Sequence, residues 1–106
     1  MRYIFLISLF VLVHKFAFSD DNILSGADLD YGEYLSGECV TCHHKAGLNQ
    51  EIPTINGMDA DVFVALMLAY RSKDMENPVM QMIAGRLDNN QIGSLAIYFS
   101  KLDPPK

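Results

Sequence analysis

The stretch Gly37–Gly47, "GECVTCHHKAG", decides what kind of molecule this chain is. Both cysteines of the 106 residues and two of the three histidines fall within it, inside the six residues Cys39–His44. Thiols and imidazoles this close together serve three chemistries: a redox dithiol, a zinc site, or an anchor for a porphyrin. A dithiol of the thioredoxin kind caps a helix that follows a strand in a βαβ pattern. No segment here alternates polar and apolar residues as a strand does. A zinc ion needs donors that close a tetrahedron, and here all four lie in one short run with no second pair elsewhere.

The remaining chemistry fits the spacing. "CVTCH", Cys39–His43, is the pattern by which c-type haem is attached. Two thiols about one helical turn apart can add across the two vinyl groups on one edge of the ring, and the imidazole of the next residue then points at the iron. Cys39 and Cys42 are thus the expected thioether anchors, His43 the expected proximal iron ligand, and one haem c per chain the expected cofactor. His44 is too close to His43 to reach the opposite face of the ring.

The first residues place the chain in a compartment. Arg2, the apolar run Ile4–Val13 broken only by Ser8, and the small residues Ala17 and Ser19 form the n-region, h-region and cleavage site of a secretory signal peptide. The run falls short of the roughly 20 residues that span a bilayer, so residues 1–19 are expected to be a leader cleaved after Ser19. Residues 20–106 are then the mature domain, exported to the periplasm, with no stable membrane insertion after cleavage. Loss of the leader removes Arg2 and Lys15, leaving six basic against thirteen acidic side chains and a net charge of −7. That balance excludes nucleic acid as a partner, whose phosphates call for a basic patch, and it suits a basic protein partner. A domain this small has a modest core and needs a staple; a covalently held porphyrin supplies one.

The rest reads as helices joined by long connections. "DDNILSGADLD", Asp20–Asp30, is expected to be a polar, solubilising lead-in, with Asp30 capping a helix over Tyr31–Cys39. Lys45–Met58 carries Gly47, Pro53 and Gly57 and no helical period, so it reads as loop. After Asp59, the residues Phe63, Leu66, Met67 and Tyr70 fall at i, i+3, i+4 and i+7. Asn77 and Pro78 start a short helix to about Leu87, and Asp88 with Gln91 makes a capping box for a last helix. Ile92, Leu95, Ala96 and Phe99 form its buried stripe, and Pro104 and Pro105 stop it. The fold class is all-α.

A second axial ligand would make the iron an electron carrier. The mature chain has no histidine outside the motif, which leaves Met58, Met67, Met75, Met80 and Met82. Met67 sits on an apolar helical stripe and reads as core; Met58 precedes that helix and reads as a staple. Met75 lies in a polar loop, while Met80 and Met82 lie in the Pro-started segment far from the motif.

Four stretches, "GEYLSGECVTCH", "IPTINGMDADVFVALMLAYRS", "NPVMQMIAGRL" and "IGSLAIYFSKL", together carry a family likeness. Residues Tyr31–Leu102 resemble a class I cytochrome c of the small bacterial mono-haem kind. They are similar in particular to the haem domains of di-haem cytochromes c and to the cytochrome subunit of flavocytochrome c sulfide dehydrogenase. The resemblance implies the cytochrome c fold, with three to five helices around the haem, the first and last crossing, and Leu35 and Gly32 packed on Leu95 and Tyr98. It implies that Met80, followed by Ile83 and Ala84 at the family spacing, is the distal iron ligand. It further implies that the carbonyl of Pro53 bonds the imidazole of His43 and orients it.

The implied function is single-electron transfer between redox protein partners, with no catalysis by the chain itself. The alternative is the haem subunit of a sulfide or sulfur-compound dehydrogenase, and a haem-based gas or redox sensor is a third reading. Two departures stand out: Lys73 and Met75 where relatives often carry glycine and arginine, and His44 where they usually carry glycine. Tyr70, Tyr98 and Phe99 read as core and pocket walls. Arg71, Lys73 and Arg86 read as solvated helix faces or propionate partners.

Overall fold

The computed structural model describes residues 21–44 and 52–104. Six helices follow one another: α1 (Asp21–Ser25), α2 (Leu29–Leu35), α3 (Gly37–Val40), α4 (Ala60–Arg71), α5 (Pro78–Gly85) and α6 (Asn89–Ser100). Among the described residues there is no strand, so the fold class is all-α. None of these helices is long and apolar enough to cross a membrane. The expected leader, residues 1–19, and the loop residues 45–51 lie outside the described residues.

Six helices exceed the expected three to five for two reasons. The polar lead-in contains α1, and the single helix expected over Tyr31–Cys39 divides at Ser36. At that residue the backbone stays in the right-handed helical region (φ −63°, ψ −18°), its N–H is shared between the carbonyls of Gly32 and Glu33, and its Oγ donates to Glu33 at 2.6 Å. The chain tightens there and restarts as α3.

The cap of α2 is Asp28 rather than Asp30. Its side chain accepts from the Tyr31 N–H at 3.0 Å, and its own N–H donates to Ser94 Oγ at 3.0 Å. An acidic residue of the lead-in therefore holds two elements together and is not merely solubilising. The later caps follow local sequence: Asp59 for α4, Asn77 with Pro78 at the first turn of α5, and the Asp88–Gln91 capping box for α6.

α6 is the axis of the molecule. Ile92, Gly93, Ser94, Leu95, Ala96 and Phe99 are all buried, because α1, α2 and α4 pack on it from different sides. α4 presents Phe63, Val64 and Met67, so Val64 takes the fully buried place expected for Leu66, which is half-buried with Tyr70. The Phe63 and Phe99 rings stack at 5.8 Å, and Tyr98 meets Phe99 edge-on at 5.3 Å.

The closest approach is between α2 and α6. A Cβ on Gly32 would overlap the carbonyl of Ser94 and crowd Cβ of Tyr98. The expected contact of Gly32 with Tyr98 is present, and Leu35 and Leu95 wall one small cavity together. Backbone cannot retreat as a flexible side chain does, so overpacking here is costly. Gly32→Ala should lower unfolding free energy by about 2–3 kcal/mol. Gly37→Ala, where a Cβ meets nothing within 4 Å, should cost nothing. Denaturant unfolding of the two variants tests the crossing; equal stabilities would refute it.

Candidate functional site around Cys39, Cys42 and His43

The helical turn that begins at α3 runs on through the motif. The N–H groups of Cys42 and His43 both donate to the Cys39 carbonyl, at 3.2 and 2.8 Å, and Thr41 Oγ1 donates to the Gly37 carbonyl at 3.0 Å. Both thiols are free and one turn apart, with Cys39 half-buried and Cys42 exposed. Burial, and next the neighbouring Glu38 carboxylate, push the Cys39 thiol up to about 11. A redox dithiol works through a thiolate whose pKa is lowered, so this environment opposes that chemistry. No three of the His, Cys, Asp and Glu side chains among the described residues converge as a metal-ion site would require.

His43 is fixed by a single strong bond. Its Nδ1 lies 2.5 Å from the carbonyl oxygen of Pro53. A carbonyl only accepts, so Nδ1 carries the proton and the lone pair of the neutral ring sits on Nε2, free to bind a metal. The loop that carries Pro53 is itself anchored. The Gly57 N–H donates to the Phe99 carbonyl at 2.9 Å, Ile55 is buried, and Gly57 adopts φ +78°, a region open to glycine.

Two cavities flank the motif. One of about 570 Å³ is walled by Val40, His43, His44, Asn56, Tyr98 and Leu102, with Asp103 at its margin. The other, about 170 Å³, holds Cys39 against Leu35, Ile83, Leu87 and Leu95, with Glu38 and Arg86 beside them. The first has the size usual for cofactor sites. Two free thiols one turn apart and an imidazole that lines the larger cavity are the donor set a covalently held haem would need.

The five methionines divide. Met67 is buried, Met58 and Met80 are half-buried against the core, and Met75 and Met82 are exposed. Met80 is thus the member of the α5 pair that faces inward. It lines neither cavity, and its N–H donates to Asn77 Oδ1 at 3.0 Å. Arg71 is committed to the turn before α6, donating to the Leu87 carbonyl at 3.3 Å and to Asn89 Oδ1 at 2.8 Å. Arg86 stands 3.8 Å from Glu38. Asn56, Leu102 and Asp103 reach the cavity from segments distant in the chain, and no local pattern singles them out.

The chain matches none of the known protein-family models and none of the curated proteins against which it was compared.

The connection that delivers Met80 is built on an unusual residue. Lys73 follows α4 with φ +68°, the left-handed conformation that glycine takes there at least cost. Past it, the Met75 N–H returns to the Ala69 carbonyl at 3.2 Å, and Gln81 Nε2 donates to the Met75 carbonyl at 2.9 Å. Relief of the Lys73 backbone outweighs the extra unfolded-state freedom of glycine, so Lys73→Gly should raise stability by about 0.5–1 kcal/mol. A thermal melt tests this, and a destabilised variant would rule out the left-handed turn.

Proposed function

We propose that this chain is an exported mono-haem cytochrome c, an electron carrier whose haem is attached at Cys39 and Cys42 and ligated by His43 and Met80. The observation that carries the reading is the bond from His43 Nδ1 to the Pro53 carbonyl at 2.5 Å, beside two free thiols one turn away. That bond turns Nε2 outward as a ligand and makes it more basic. It also fixes the ring plane before any iron arrives.

Bound haem supplies a one-electron couple. The chain's own residues do the holding. Cys39 and Cys42 would each add S–H across a vinyl C=C, sulfur to one carbon and hydrogen to the other, with no oxidant required. Met80, on the inward side of α5, would supply a thioether from another element. His43 and Met80 would hold the iron between them and leave it no open position for a substrate, which is why the reading is a carrier and not an enzyme. The all-α arrangement, with α2 and α6 meeting at Gly32, supports the cytochrome c fold. The leader at residues 1–19 supports a periplasmic site of action, where redox proteins are the partners.

Two sets of variants test this. Cys39→Ser with Cys42→Ser should abolish covalent haem, read by the mass of the purified chain and its pyridine haemochrome spectrum. A wild-type chain without covalent haem sinks the proposal. Met80→Ala should alter the oxidised spectrum and lower the potential by on the order of 0.1 V, within the roughly 0.8 V that axial ligands command. Met82→Ala should leave both unchanged. The reverse pattern would reassign the ligand.

A further inference from the structure

One face of the helices leading into the motif is exposed among the described residues. α2 and α3 adjoin at Ser36, whose backbone stays in the right-handed helical region, and burial divides their residues. Inward lie Gly32, Leu35, Ser36 and Cys39; outward lie Asp30, Glu33, Tyr34, Gly37, Glu38 and Thr41, ending beside the exposed thiol of Cys42. This outer stripe carries three carboxylates, and no basic residue lies on either helix. Its centre is Tyr34, which is 81% exposed and the most exposed of the large apolar side chains. The Tyr34 ring lies beside Tyr31, centroids 6.4 Å apart and planes 16° from parallel.

We infer that this outer stripe of α2–α3 is a docking surface for a basic protein, with Tyr34 as its anchor and Asp30, Glu33 and Glu38 as its steering charges. The inference rests on the electron-carrier reading, which needs a partner to come close to the thioether edge. Charge selects the occupant. A second copy of the chain would set carboxylates against carboxylates, and nucleic acid or an anionic membrane would be repelled in the same way. A lysine- or arginine-rich protein face is complementary. Among the described residues the cation paired with the stripe is Arg86, 3.8 Å from Glu38 with both side chains more than half exposed, a pair weak enough for a partner's cation to displace. Tyrosine in the middle of a charged rim is the composition of an interface hot spot.

The test uses the nitrogen-15-labelled, haem-loaded protein, titrated at low ionic strength with a lysine-rich redox protein and, separately, with an acidic one. Amide shifts should concentrate on residues 29–42 with the basic probe and be absent with the acidic one. Affinity should fall about tenfold or more as salt rises to ~0.15 M. Tyr34→Ala should weaken binding roughly tenfold, chiefly by faster dissociation, and Glu33→Gln should slow association severalfold. Asp61→Asn, on α4, should change neither rate by more than about twofold. Shifts centred on α4 or on residues 72–77, or a silent Tyr34→Ala, would overturn the docking surface while leaving the carrier intact. A preparation with no covalent haem by its pyridine spectrum would bring down both.

Discussion

The structure depends on one place where two backbones touch. Gly32 of α2 lies against the Ser94 carbonyl of α6 with no room for a methyl group, and the Asp28 N–H donates to the buried hydroxyl of Ser94. Gln91 adds a third tie, with its Oε1 accepting from Asp88 and its Nε2 donating to Tyr31 Oη at 3.0 Å. These bonds set how α2 crosses α6. α3 and the cysteine turn then follow from the direction in which α2 leaves the crossing. Loosening the crossing would move Cys39, Cys42 and His43 together, because the motif is carried at the end of that lever.

A second constraint acts from the other side. His43 belongs to the α3 turn, but its orientation is decided by Pro53, which belongs to a loop pinned onto α6 by Gly57 and the buried Ile55. The imidazole is thus held between two elements that both refer to α6, one through α2 and one through the loop. A hydrogen bond to a backbone carbonyl makes this arrangement tolerant of side-chain change at position 53 and sensitive to the path of the loop. The Phe63–Phe99 stack beneath it limits how far α4 and α6 can shift.

What could be read from the sequence was what acts within one helical turn. Asp59, Asn77 with Pro78, and Asp88 with Gln91 cap their helices because a cap needs only the next three residues. The stripe Ile92, Leu95, Ala96 and Phe99 is buried as its period requires. Where the reading went astray, a distant residue decided. Asp28 caps α2 in place of Asp30 because its N–H also has Ser94 to bond, 66 positions along the chain. α1 has only five residues and no periodicity; it is seated because the Ile23 carbonyl fits against Gly93 and the Gly26 carbonyl accepts from Asn90. Within the site, the thiols and the imidazole were legible from spacing, and Pro53 only through a family likeness. Asn56, Leu102 and Asp103 were legible from neither, since a cavity wall assembled from three segments leaves no local signature.

The two ends of α6 do different work. At its N-terminal end, Asn90 and Gly93 receive the entering chain at Gly26 and Ile23; at its C-terminal end, Tyr98 and the following Leu102 and Asp103 wall the cavity beside His43. Ten helical positions separate Asn90 from Ser100, which at about 1.5 Å each is roughly 15 Å, and Leu102 lies just past them. Entry of the described chain and the chemistry of its site are therefore held apart by a rigid spacer. Arg71 joins α4 to the start of this spacer, the Phe63–Phe99 stack holds α4 near its end, and Gly57 joins the loop to that same end. The acidic stripe of α2–α3 crosses between those ends and arrives at Cys42 on the outside. The inward side of the same two helices is thereby free to serve the core and the outward side free to face a partner. In a domain with so few buried residues, that division lets one short helical segment hold the fold and present the cysteine turn at once.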